Sequence, residues 1–253
     1  MHTLITGASS GLGALFADRF ARLGHDLILV ARRRDRLDDL ALRLSSGFGV
    51  DVQIIPMDLA EAGTAEALTS EIQARGLEVD VLVNNAGVAT IGSVEQSSPD
   101  ELESQVQLNC VTLVGLTARL LPAMRARGRG TVLNIASIAA YQPIPDMAVY
   151  AATKSLVLSF SEALWFEERR HGIRVFAACP GPMETEFFTR AGASGLATPM
   201  QSPDHLVDQT MRKLKSTAPS FIDGRMNAIL AKGIIPFAPK RLVLRVAHRI
   251  AQG

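Results

Sequence analysis

Thr3-Leu4-Ile5-Thr6-Gly7-Ala8-Ser9-Ser10-Gly11-Leu12-Gly13 opens on a short apolar and β-branched run, breaks at glycine, and enters a segment where Leu12, Leu15, Phe16 and Phe20 recur at helical spacing. That is strand, glycine turn, helix. A helix start presents free backbone N–H groups and the positive end of its dipole, so this turn suits a phosphate or pyrophosphate. Glycine lets backbone approach such a group and lets helix approach strand. The spacing departs from G-x-G-x-x-G, with three residues between the first two glycines and one between the last two. Taken alone, the turn therefore leaves a purely structural reading open.

Working outward, strand and helix patterns alternate with short connections. Strand runs at 26–31, 52–56, 79–83, 131–135 and 173–178 are separated by helical patterns, two of them long, at about 99–127 and about 148–171. The run at 79–83 is continuously apolar, as a parallel strand buried on both faces requires. This alternation predicts an α/β fold: a Rossmann-type doubly wound parallel sheet of about seven strands, the last at 220–222, with helices on both faces and right-handed crossovers. No repeat or linker interrupts it, so residues 1–253 read as one nucleotide-binding domain. After Pro180-Gly181-Pro182 the pattern loosens, and about 182–203 reads as a substrate lid.

A net charge of +1 argues against nucleic acid as a partner. Cys110 and Cys179 lie in apolar runs without a disulfide spacing, which points to reduced, buried thiols and a cytoplasmic location. The histidines and cysteines show no metal-ligand spacing. No signal peptide is expected, nor an apolar run of the roughly 20 residues that span a bilayer.

A site for NAD places an acidic residue about 20 positions past the glycine turn, on the ribose 2′-hydroxyl. Here the second strand ends in Ala31-Arg32-Arg33-Arg34. Guanidinium groups without a carboxylate would attract a 2′-phosphate, so NADP(H) is expected in preference to NAD(H), held by Arg32 and Arg33.

Tyr150-Ala151-Ala152-Thr153-Lys154 places a phenol and an ammonium four residues apart, on one helix face. A neighbouring ammonium favours phenolate, which would bring the tyrosine from about 10 toward the range of a working acid/base.

Together these residues resemble the short-chain dehydrogenase/reductase family over nearly the whole chain. The segment 6–13 is similar to its TGxxxGxG turn, Asn84-Asn85-Ala86-Gly87 to its NNAG segment, Tyr150-x-x-x-Lys154 to its active-site motif, and Pro180-Gly181-Pro182-Met183-Glu184-Thr185 to its PGxxxT segment. Ser137 precedes Tyr150 by thirteen residues, as in the family, and Asn109 falls where a fourth catalytic residue would stand. The resemblance implies that Tyr150 exchanges the proton at a carbonyl or hydroxyl oxygen and that Ser137 hydrogen-bonds that oxygen. Lys154 would lower the tyrosine pKa and hold the nicotinamide ribose, and Asn109 would hold a water on the proton path. Gly7, Ser9, Ser10, Gly11, Leu12 and Gly13 would cradle the cofactor, Asp58 and Leu59 would meet adenine, Asn85, Ala86 and Gly87 the adenosine side, and Pro180, Gly181, Met183 and Thr185 the nicotinamide. It also implies a homodimer or homotetramer joined through the two long helices.

The expected substrate-facing residues, Val88, Ile138, Tyr141, Ile144, Met183, Phe187, Phe188, Leu196 and Met200, are mostly apolar, with Arg190 the one side chain that could clamp an anion. A medium-sized hydrophobic ketone, aldehyde or alcohol is the expected substrate. The alternatives are a cofactor-binding regulator without turnover and a peripheral membrane reductase of lipids or steroids. The tail, about 226–253, contains no acidic residue. As a helix it would align Arg241, Arg245 and Arg249 on one side and Leu242, Val246 and Ile250 on another. Such a helix lies on an anionic membrane or packs on protein, the commoner use.

Overall fold

A computed structural model describes residues 1–183, 186–187 and 202–252, the side chains of 250–252 excepted. Seven parallel strands, β1 (His2–Thr6), β2 (Asp26–Ala31), β3 (Val52–Pro56), β4 (Val81–Asn84), β5 (Gly130–Ile135), β6 (Ile173–Cys179) and β7 (Ser220–Ile222), lie in the order β3-β2-β1-β4-β5-β6-β7. The order reverses between β1 and β4. Their carboxyl ends open a crevice at that switch point, where such sheets bind ligands.

Successive side chains of a strand point to opposite faces, so each strand feeds two cores. Ile5, Leu29 and Val83 face α1 (Gly11–Arg22), α2 (Arg34–Phe48) and a later helix, α6 (Pro203–Lys213). Leu4, Ile28 and Leu82 face α3 (Thr64–Ala74), α4 (Pro99–Arg127) and α5 (Ala148–Glu168). Phe16 and Phe176 are fully buried in the first layer, each contributing about 1.5–3 kcal/mol by leaving water. Burial on both sides is what the continuous apolar runs encode.

α4 contains a π-helical turn over Gln107–Thr112, and wide turns of this kind recur at functional sites. By length and composition alone α4 is apolar enough to cross a membrane, a test that buried core helices also pass, although Glu103 and Arg119 interrupt it and leave no apolar run of the length that spans a bilayer. Its apolar content has a local cause, since Leu113, Leu116 and Met124 pack inward alongside the hydrogen-bonded Asn109, Thr112 and Thr117.

The tail folds as α7 (Arg225–Ile229), a π turn (Leu230–Ile234), a 3-10 turn (Ile235–Phe237) and α8 (Lys240–Gln252). α8 seats on the body through Val243 and Ala247, and Leu242 and Val246 stay exposed. The inward arc is the one farthest from the arginines, and Leu242 and Val246 flank it. Of the segment read as a lid, 184–185 and 188–201 lie outside the described residues, and with them Thr185, Phe188, Arg190, Leu196 and Met200; the side chain of Ile250 does too.

Candidate active site

The glycine turn is fixed by its neighbour across the switch point. Thr6 Oγ1 accepts the backbone N–H groups of Asn85 and Ala86, each at 3.0 Å, and Asn85 Nδ2 donates back to the Thr6 carbonyl at 2.9 Å. A Cβ on Gly13 would stand 2.3 Å from the Gly7 carbonyl oxygen and 2.7 Å from Asn85 Nδ2. Gly13 is therefore needed for the packing of turn on loop, and it does not line the crevice. Gly7 has φ +67°, in the left-handed region, and a Cβ there would meet Ala86 Cα at 2.9 Å.

The crevice holds a cleft of about 360 Å³. One end is walled by Gly7, Ser9, Ser10, Gly11, Leu12, Arg32, Arg33, Asp58 and Leu59, and the middle by Asn85, Ala86 and Gly87. Ser137, Tyr150, Lys154, Pro180, Gly181 and Met183 wall the other. Residues from the whole chain thus meet in one cavity. Ala31, Met57, Ile135, Ala136 and Glu186 line it as well and escaped the sequence reading. Four of them are apolar residues at or just beyond strand ends, legible once the sheet order is known; Glu186 carries no local signal.

Arg33 and Arg32 differ in setting. Arg33 donates to Ser9 Oγ at 3.0 Å, Ser10 Oγ at 2.9 Å and Glu186 Oε2 at 3.0 Å. Arg36 reaches the other oxygen of that carboxylate at 2.5 Å. The two guanidinium groups hold Glu186 down at about 2, so the carboxylate is ionised at neutral pH. Arg32 is exposed and lies 3.4 Å from Asp58, while Arg34 pairs with Asp38 along α2.

At the opposite end, Tyr150 is 6% exposed. Burial pushes its phenol up to about 12, with a hydrogen bond to Ser137 pulling the other way. Lys154 is buried too, donates to the Ile135 carbonyl at 2.8 Å, and is brought down by burial to about 8. Its Nζ lies 5.8 Å from the centre of the Tyr150 ring. These values correct the electrostatic expectation. Burial disfavours whichever form is charged, so loss of water raises the phenol and lowers the ammonium.

Asn109 does not line the cleft. Its Oδ1 accepts from Val88 N and its Nδ2 donates to the Val88 carbonyl, both at 2.9 Å, and Nδ2 also reaches Thr153 Oγ1 at 3.1 Å. A Cβ on Gly87 would be 3.2 Å from Asn109 Oδ1 and 3.6 Å from Lys154 Nζ, so the π turn, this loop and the lysine meet at one point.

Val88, Met183 and Phe187 line the cleft as expected, and the Phe187 ring lies 5.8 Å from that of Tyr150. Ile138, Tyr141 and Ile144 do not line it. Ile138 and Tyr141 pack on a third core beside Ala136 and Cys179, with the Tyr141 hydroxyl 3.9 Å from the Cys179 sulfur. The turn after Ser137 is a 3-10 turn over Ile138–Tyr141, and it carries these side chains away from the cleft. Cys110 and Cys179 are free, buried thiols.

A glycine turn at the switch point, an arginine pocket beside it and a buried Ser-Tyr-Lys group across the cleft define a nucleotide-binding oxidoreductase. Residues 1–194 match the model of the short chain dehydrogenase family, and the chain belongs to that family, whose members use a nicotinamide cofactor. It is 36% identical over 197 residues to a sulfoacetaldehyde reductase of Chromohalobacter salexigens, 77% of either protein. It is 34% identical over 176 residues to a very-long-chain 3-oxoacyl-CoA reductase of Phaeosphaeria nodorum, covering 68% of this chain and 52% of that protein. The chain thus spans about half the length of that relative. A short-chain dehydrogenase from Sphingobium yanoikuyae in complex with NADPH superimposes with a TM-score of 0.85 at 36% identity, covering 90% of this chain and 89% of that one.

Proposed function

We propose that the protein interconverts a medium-sized hydrophobic ketone or aldehyde and its alcohol, using NADP(H) in preference to NAD(H). The observation that carries this reading is the convergence of Ser137, Tyr150 and Lys154 on one end of a cleft whose other end is the Arg33 pocket.

The residues fit the cofactor. Glu186, the protein's own anion, already rests on Arg33 and Arg36, so the donor set accepts a doubly contacted anion such as a 2′-phosphate. Ser9, Ser10, Gly11 and Leu12 at the start of α1 would hold the pyrophosphate. Asp58 and Leu59 would border adenine, and Pro180, Gly181, Met183 and Thr185 would hold the nicotinamide. When bound, the nicotinamide supplies or accepts the hydride.

Tyr150 stays a neutral phenol through the working pH range and gives its proton to the carbonyl oxygen. Ser137 hydrogen-bonds the same oxygen as charge develops there. Lys154, as ammonium, stabilises the phenolate left behind and would hold the ribose. Asn109 acts as a positioning residue, fixing Val88 from both sides of its peptide.

Among the described residues, the cleft's charged side chains other than Lys154 all sit at the arginine end. Val88, Met183 and Phe187 at the other end favour an apolar substrate. Exposed Val106 and Val111 on α4, with Leu156 and Phe166 on α5, support a homodimer or homotetramer through these helices, and the buried thiols support a cytoplasmic protein.

The test follows the absorbance of reduced nicotinamide with NADPH and a panel of ketones and aldehydes. Tyr150→Phe is expected to lower kcat by about 10²–10⁴-fold while NADPH still binds. Equal turnover by that variant, or turnover confined to highly charged substrates, would overturn the reading.

A further inference from the structure

Sixteen large hydrophobic side chains are exposed among the described residues, and eight of them fall after residue 225: Met226, Ile229, Leu230, Ile234, Phe237, Leu242, Leu244 and Val246. Phe237 is 83% exposed. Helical spacing puts Met226 and Ile229 of α7 and Leu230 of the turn that follows on one side, while Ala231 turns inward. The same stretch carries Arg225, Lys232, Lys240, Arg241, Arg245 and Arg249, and no acidic residue follows Asp223.

This segment packs on elements next to the catalytic group. The turn Leu230–Ile234 packs on the turn Ile138–Tyr141 that follows Ser137. His248 Nδ1 lies 3.1 Å from a carboxylate oxygen of Asp146, in the loop leading into the Tyr150 helix.

We propose that the segment 225–249 is a docking surface for an anionic lipid bilayer. Apolar side chains flanked by cations, with no carboxylate among them, match the boundary between acyl chains and acidic headgroups. A second copy of the chain fits worse, because a two-fold contact would set the six cations against six more. Docking here would hold the turn after Ser137 and the start of the Tyr150 helix near the bilayer, where a hydrophobic substrate concentrates. The proposal does not depend on the chemistry assigned to the cleft.

The experiment is flotation of the full chain with vesicles of phosphatidylcholine alone and of an equal mixture with phosphatidylglycerol. Flotation with the mixed vesicles only is expected. Phe237→Ser and the double variant Arg241→Glu/Arg245→Glu should each lower the bound fraction about fivefold or more, with reduction of a water-soluble ketone unchanged. These side chains are exposed, so neither variant threatens folding. Absence of flotation with the mixed vesicles overturns the proposal, as does flotation that both variants leave intact. A concentration-dependent dimer lost in Phe237→Ser, without flotation, would assign the face to a second copy instead.

Discussion

Arg33 Nη1 lies 3.0 Å from Glu186 Oε2, and the same guanidinium holds the hydroxyls of Ser9 and Ser10. The carboxylate therefore stands on the group that the cofactor's 2′-phosphate would use. A ligand must displace it before taking its place, and the cost falls on NADPH alone. Glu186→Gln keeps the side chain's size and removes its charge. The KM for NADPH should fall about three- to tenfold in that variant, and the KM for NADH should not move. A rise in the NADPH value would show that the carboxylate helps to assemble the site.

Arg33 rather than Arg32 should carry the cofactor choice. Arg32 is exposed and already faces Asp58, whereas Arg33 is tied to the glycine turn itself. Arg33→Ala is expected to lower kcat/KM with NADPH by about 10–100-fold and to leave the NADH value within about twofold. Arg32→Ala should cost less. An equal loss with both cofactors in Arg33→Ala would mean that the arginine supports the turn and does not read the phosphate.

The two buried groups at the catalytic end predict a pH profile. Tyr150, pushed up to about 12, remains an acid throughout, while Lys154, brought down to about 8, loses its charge above that pH. Carbonyl reduction should be level below about pH 8 and fall about tenfold per unit above it. Stability should move the other way. Between about 8 and 10.5 the unfolded lysine holds a proton that the native one has lost, so unfolding free energy rises with pH across that window. Lys154→Met should abolish both effects, and a rate that stays level past pH 9.5 would refute the assignment (about 1.5 units beyond the expected break).

Much of this was legible in the sequence because parallel strands buried on both faces must be apolar throughout, as Leu27 to Val30 are. The glycine turn and the Tyr150–Lys154 pair are legible from spacing along the chain, and Ser137 from the resemblance to the family. What spacing could not give was direction. Tyr141 sits three residues beyond Ile138 and reads as substrate-facing, yet the 3-10 turn sends its hydroxyl to Cys179. Nor does spacing report solvent, and it is burial that sets the direction of the tyrosine shift. Glu186 meets Arg33 across 153 residues of chain, a pairing that no local pattern records.

Beneath the site, Asn84 Nδ2 donates to Asn134 Oδ1 at 2.9 Å and to Thr117 Oγ1 at 3.1 Å, and Asn134 Nδ2 donates to Ser161 Oγ at 2.9 Å. The chain of contacts ties β4 and β5 to α4 and α5, with Asn134 and Ser161 fully buried. Asn134→Ala would leave a donor of Asn84 and an acceptor of Ser161 unmet and open a small void, at a cost of about 2–4 kcal/mol. Removing Asn84 as well deletes one of the orphaned groups. The double variant should therefore be less destabilised than the sum of the two singles, by about 1 kcal/mol or more in denaturant unfolding. Strict additivity would mean that the amides contribute separately. Asn134 precedes Ile135, whose carbonyl receives Lys154, so the same loss should reach the chemistry before it reaches the cofactor. In Asn134→Ala, kcat is expected to fall while the KM for NADPH, set at the far end by Arg33, stays where it was.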